Sequence, residues 1–80
     1  LKSIASGKVE ERIAKLLIEL GDKIGQETPE GYLVIEAPIT RQDIAEMTGT
    51  TVETAIRIMS KWKKEGIIDA QRGKIVLKDL

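Results

Sequence analysis

A mainly α fold with a small antiparallel β-sheet is what this chain of 80 residues predicts, and three stretches predict it. Residues 41–66 read as two capped helices joined by a tight turn at Thr48-Gly49-Thr50. Residues 67–77 read as a hairpin directly after the second helix. Residues 6–23 read as one amphipathic helix whose apolar stripe needs a partner. Two helices joined by so short a turn form a helix-turn-helix, and a hairpin that follows it is a wing. The predicted architecture is a winged helix-turn-helix.

Residues 1–5 (LKSIA) have two readings, a frayed terminus or the remnant of a helix or linker from a preceding domain. Residues 6–80 are the domain itself, with its motif at 40–65 and its wing at 67–78. Ser6 is expected to cap the first helix. Val9, Ile13, Leu16, Leu17, Leu20 and Ile24 recur at helical spacing and form its apolar stripe. Glu11 and Lys15 stand four apart in the favourable order for a surface pair, and Gly21 and Gly25 weaken the helix end. Residues 26–31 (QETPEG) read as loop, and Tyr32–Glu36 as a short strand that Pro38 ends, because proline cannot donate to a ladder.

In the motif, Thr40 caps the first helix with Asp43 three residues on, and Ile39 is placed to staple against Ile44. Thr50 and Glu53 repeat the pattern as a capping box for the second helix, and Gly49 supplies a positive φ between the two. Ile44, Ala45 and Met47 are expected inward on the first helix, and Ala55, Ile58, Met59 and Trp62 on the second. Trp62 thus reads as a core anchor rather than a base-stacking residue. Val52, Glu53, Ile56, Arg57, Ser60 and Lys61 fall on the opposite face. Val52 and Ile56 are apolar there, so either the helix is rotated from this reading or they meet a partner. Gly66 closes the helix, and Gly73 serves the hairpin turn, which with strand 32–36 predicts a three-stranded sheet.

Composition narrows the function. The chain lacks cysteine and histidine, which removes disulfides, thiolate chemistry, imidazole ligands and the usual general base. The carboxylates are scattered, no nucleophile has a base partner and no glycine-rich phosphate loop is present, so an enzyme is not expected. No apolar run approaches the roughly 20 residues of a membrane span. Net charge is zero but unevenly placed: residues 1–40 hold five Lys/Arg against seven Asp/Glu, and residues 41–80 hold eight against six. The basic excess lies on the second motif helix (Arg57, Lys61, Lys63, Lys64) and near the C-terminus (Arg72, Lys74, Lys78), where local sign governs docking on phosphates. A balance of +2 in that half is mild, so weak DNA binding is expected of one domain alone. Lys63 and Lys64 read as a solvated face.

The segments ITRQDIA, GTT-x-ET, IRIMSKWKKEGII and RGKIVL, with SGKVEERIAKLLIEL before them, resemble the C-terminal DNA-binding domain of the CRP/FNR regulators. The resemblance covers nearly the whole chain. It implies a cytoplasmic bacterial transcription regulator that binds a palindromic operator on double-stranded DNA as a homodimer, with RNA polymerase as a further candidate partner. The isolated domain would be monomeric. No cofactor is implied in this domain, since an effector would bind a missing N-terminal domain. LKSIA would be the remnant of the dimerisation helix.

By the same resemblance Glu53 matches the family's recognition glutamate and Arg57 its guanine-reading arginine. Glutamate accepts from cytosine N4 and arginine bridges guanine O6 and N7, and four residues apart the two can also pair with each other. Val52 stands where the best-known member has a second guanine-binding arginine, so one G·C contact should be lost. Val52 or Ile56 should instead touch a thymine methyl. Ser6, Arg41, Gln42, Thr51 and Thr54 lie at helix starts, where phosphates can be held. Lys61 is a further phosphate ligand, and Gln71 and Arg72 at the wing tip should reach the flanking backbone. The competing reading is a winged-helix protein–protein interaction module, which the exposed Val52 and Ile56 and the zero net charge favour.

Overall fold

The computed structural model describes residues 8–78. The elements are α1 (Lys8–Ile24), β1 (Gln26–Glu27), β2 (Leu33–Glu36), α2 (Arg41–Thr48), α3 (Val52–Lys64), β3 (Ile68–Gln71) and β4 (Lys74–Leu77). The remnant segment 1–5 and the Ser6 cap lie outside the described residues. The winged helix-turn-helix is present.

The sheet is antiparallel with strand order β1-β2-β4-β3, four strands where the sequence predicts three. The addition is Gln26–Glu27, which pairs with Leu33 and Val34 although QETPEG reads as loop. Both β1 residues are exposed, so the pairing is backbone only and leaves no apolar alternation to read. Thr28 closes this hairpin: its N–H donates to the Tyr32 carbonyl at 2.9 Å, and its hydroxyl accepts from the Tyr32 N–H at 3.1 Å.

Register puts two apolar rows on the inner face, Leu33–Leu77–Ile68 and Ile35–Ile75–Ala70. The α3 residues Ala55, Ile58, Met59 and Trp62 join the same core as these rows, with Ile13 and Leu17 from α1 and Ile44 and Ala45 from α2. Gly21, also buried on α1, lets that helix approach the sheet, since a Cβ there would stand 3.1 Å from Leu33 Cδ1 and 3.3 Å from Leu77 Cδ1. The α1 stripe is rotated from the expected one. Ile24 is 48% exposed, Val9, Leu16 and Leu20 are half-buried, and Ala14 and Gly21 take inner places. No ion pair joins Glu11 to Lys15 among the described residues.

Met47 is also corrected. It is 59% exposed and Thr48 is buried in its stead. Thr48 can be buried because its hydroxyl donates to the Ile44 carbonyl at 2.7 Å, so no polar group is left unmet.

Helix ends are closed by backbone geometry. Gly49 adopts φ +74, with its own N–H and that of Thr50 both donating to the Ala45 carbonyl. Gly66 does the same for α3: its N–H reaches Lys63 O at 3.2 Å and the Ile67 N–H reaches Trp62 O at 3.0 Å, a Schellman closure that buries Ile67 beside Trp62. Nothing lies within 4 Å of a Cβ built on Gly49, so its requirement is purely conformational. Gly49→Ala should therefore destabilise the domain by about 1–2 kcal/mol. Thermal unfolding would register each kcal/mol as a fall of about 4–8 °C in Tm for a domain of this size.

Candidate nucleic-acid interface

The start of α2 and the wing tip line one cleft, and the start of α3 follows α2 across the turn at Gly49. At α2, Thr40 accepts from the Asp43 N–H at 3.1 Å, the expected cap, and Asp43 also accepts from the Thr40 N–H at 2.9 Å, which completes a capping box. At α3 the cap is Thr51 rather than Thr50: its hydroxyl oxygen accepts from the Thr54 N–H at 3.2 Å and donates to the Thr54 hydroxyl at 2.9 Å. Thr50 is displaced from that role because its N–H closes α2 onto Ala45. The helix therefore starts one residue later than a Thr50–Glu53 box requires. Thr51 and Thr54 are capping residues first, and Thr51 stays exposed.

With Trp62 buried to 1% exposure, the outward face of α3 is determined. Glu53 and Arg57 are exposed on it, and no ion pair joins them among the described residues. Ile56 is 47% exposed, whereas Val52 is half-buried and packs against the core. The two apolar residues thus part ways: Val52 is turned toward the interior and Ile56 toward solvent.

The wing turn brings sequence-distant groups together. Only Gly73 has a positive φ (+74) in the Arg72-Gly73 turn, the φ signs of a type II turn. Gln71, Arg72 and Gly73 face Pro38, Ile39, Thr40 and Arg41 across a cleft of about 410 Å³. Arg41 and Arg72 therefore flank one groove. Gln42 is tied to Glu46 by a 3.0 Å hydrogen bond. Lys61 makes the one ion pair among the described residues, 3.1 Å from Glu10 Oε1 on α1. That contact joins α3 to α1 while Lys61 stays exposed.

Two side-chain contacts escaped the sequence reading. Lys63 donates to the Ala70 carbonyl at 3.2 Å, tying α3 to the wing, so of the two lysines expected to be solvated only Lys64 is free of such a bond among the described residues. Arg12 donates through Nε to the Thr48 carbonyl at 2.8 Å. Both acceptors are main-chain carbonyls in a different element from the donor, and no local residue pattern announces them.

Three helices, a two-helix motif with an outward second helix, and a hairpin wing define a winged helix-turn-helix domain. The family model of the Crp-like helix-turn-helix domain matches residues 11–80, and the chain belongs to that family and is of the CRP/FNR type. Among curated relatives it is similar to the nitrogen fixation regulation protein FixK of Rhizobium meliloti, 38% identical over 58 residues, 72% of this chain and 25% of FixK. It is also similar to the transcriptional regulator SdrP of Thermus thermophilus, 30% identical over 80 residues, all of this chain and 39% of SdrP. Among solved structures, CprK matches with a TM-score of 0.81 and 28% identity, over 89% of this chain and 34% of its own. The CO-dependent transcription factor CooA from Carboxydothermus hydrogenoformans matches with a TM-score of 0.78 and 30% identity, over 88% of this chain and 32% of its own. The chain thus spans well under half the length of the relatives it matches, and it is a DNA-binding domain of the transcription-regulator class. No helix among the described residues is long and apolar enough to cross a membrane.

The cap position at α3 is directly testable. Thr51→Ala should cost about 1 kcal/mol, while Thr50→Ala, which leaves the backbone bond to Ala45 in place, should stay within about 0.5 kcal/mol of the parent. Urea unfolding of the two variants separates them; equal losses would return the cap to Thr50.

Proposed function

We propose that the domain reads double-stranded DNA sequence-specifically with α3 in the major groove. The observation that carries this reading is the placement of Glu53 and Arg57 one turn apart, both exposed on the face of α3 that the buried Trp62 turns outward. Arg57 would bridge guanine O6 and N7, and Glu53 would accept from a cytosine amino group. Ile56 is the better placed of the two apolar residues to meet a thymine methyl, since Val52 is partly engaged by the core. The lack of an ion pair between Glu53 and Arg57 leaves both free for base edges.

Arg41 and Arg72 would hold the sugar–phosphate backbone along the cleft they flank, with Gln42, Thr51, Thr54 and Gln71 as polar contacts around it. Ser6 belongs to the same phosphate set. Lys61 would join it only by giving up Glu10. Residues 6–80 act as the DNA-binding unit, and the rest of a longer protein would carry the effector site and the dimer contact. The names of two relatives support that division: CprK is known in complex with o-chlorophenolacetic acid, and CooA is CO-dependent. The whole regulator would then be a cytoplasmic homodimer on an inverted repeat, in reach of RNA polymerase, with this domain needing no cofactor of its own.

Selection from a random duplex library at low salt, using the domain fused to a dimerising coiled coil, tests the reading. Enrichment of inverted repeats with a G·C pair in each half-site is expected, and Arg57→Ala should lose about 1–3 kcal/mol of discrimination at that pair. Arg72→Ala should instead weaken binding to every duplex and lower the salt slope by about one. Absence of any enrichment would favour a protein-interaction role centred on the exposed Ile56.

A further inference from the structure

Arg12 has no part in the base and phosphate contacts above, yet it ties α1 to the turn of the motif. Its Nε donates at 2.8 Å to the carbonyl of Thr48, the last residue of α2. The final carbonyls of a helix lack intrahelical partners and carry its negative end, so a guanidinium suits them. The neighbouring groups at this helix end are already committed. Thr48 Oγ1 donates to Ile44 O, and the N–H groups of Gly49 and Thr50 both donate to Ala45 O. Arg12 thus secures the remaining free side of the Thr48–Gly49 peptide, and secures it to a different helix.

That peptide is where the chain turns from α2 toward Thr51, the N-cap of α3. A small rotation there swings the whole of α3 relative to α2 and the wing. We propose that Arg12 is a positioning residue for DNA recognition: by holding the Thr48 carbonyl against α1 it sets the angle at which α3 presents Glu53 and Arg57. The inference rests on the DNA-reading function above. Arginine suits the task because Nε–H lies in a rigid planar group close to the stem, whereas the donors of lysine sit on a rotating tip. A residue acting this way controls discrimination between sequences. A residue touching phosphate would instead change affinity for all duplexes and the salt dependence with it.

The test uses the chain fused to the same dimerising coiled coil, in fluorescence anisotropy on a duplex recovered by the selection and on a scrambled one, across a range of salt. Arg12→Ala should lower the ratio of specific to non-specific affinity roughly tenfold, as loss of a charge-assisted hydrogen bond allows, with the salt slope and the non-specific affinity unchanged. Arg12→Lys should recover part of the ratio. Circular dichroism at the assay temperature verifies folding, and Arg12→Gln, which keeps a neutral donor and most of the stem, replaces the alanine variant if that variant does not fold. An unchanged ratio would overturn the inference. So would equal weakening on both duplexes with a salt slope lower by about one, which would make Arg12 a phosphate ligand. If the unaltered chain fails to distinguish the duplexes, the DNA-reading function falls as well; if it distinguishes them and Arg12→Ala does so equally, only the positioning role falls.

Discussion

Burial of Trp62 is the constraint on which the rest of the domain depends. It is the largest side chain in the core, and it lies one turn from the end of α3. Exposing so large an apolar surface would cost several kcal/mol, a large share of a small domain's stability. The helix rotation about its own axis is therefore fixed, with Ala55, Ile58 and Met59 following Trp62 inward at helical spacing. Glu53, Ile56 and Arg57 face outward as a consequence. What α3 displays to solvent is thus set by packing on the opposite side of the same helix.

The helix ends convert that rotation into a position. Each motif helix stops at a glycine with positive φ and starts at a threonine in an extended conformation, so no residue is spent on an irregular linker. Side chains then tie the motif to its neighbours. Arg12 reaches in from α1, and Lys63 reaches out to the wing. These bonds use charged donors on backbone carbonyls, which are stronger than neutral ones. Arg41, Arg57 and Arg72, by contrast, are free of such partners among the described residues.

Local chemistry was legible wherever one residue or a short spacing carries it. The Thr40–Asp43 box, the left-handed Gly49 and the inward set on α3 all follow from rules that act within a few residues. The misreadings have a common origin. Two turns of α2 are too few for periodicity to separate Met47 from Thr48, and a threonine that satisfies its own hydroxyl can enter the core unseen. Ile24 is apolar at the correct spacing, but the core contacts of α1 run along Ile13, Ala14, Leu17 and Gly21, where a glycine permits the closest approach to the sheet. The Thr50–Glu53 box failed because the Thr50 N–H was already taken by α2, a competition invisible to a pattern four residues long.

From the sequence by itself came the class of fold and the outward residues of α3 other than Val52, because periodicity, capping and turn chemistry are written in neighbouring residues; the family came from a resemblance along nearly the whole chain. Only the tertiary structure decided the fourth strand, the cleft between Arg41 and Arg72, the pairing of Lys61 with Glu10 and the hold of Arg12 on Thr48. Each of these joins backbone or side-chain groups whose meeting depends on how whole elements pack. Such contacts have no local signature, since a carbonyl oxygen is present at every residue and selects its partner by position alone.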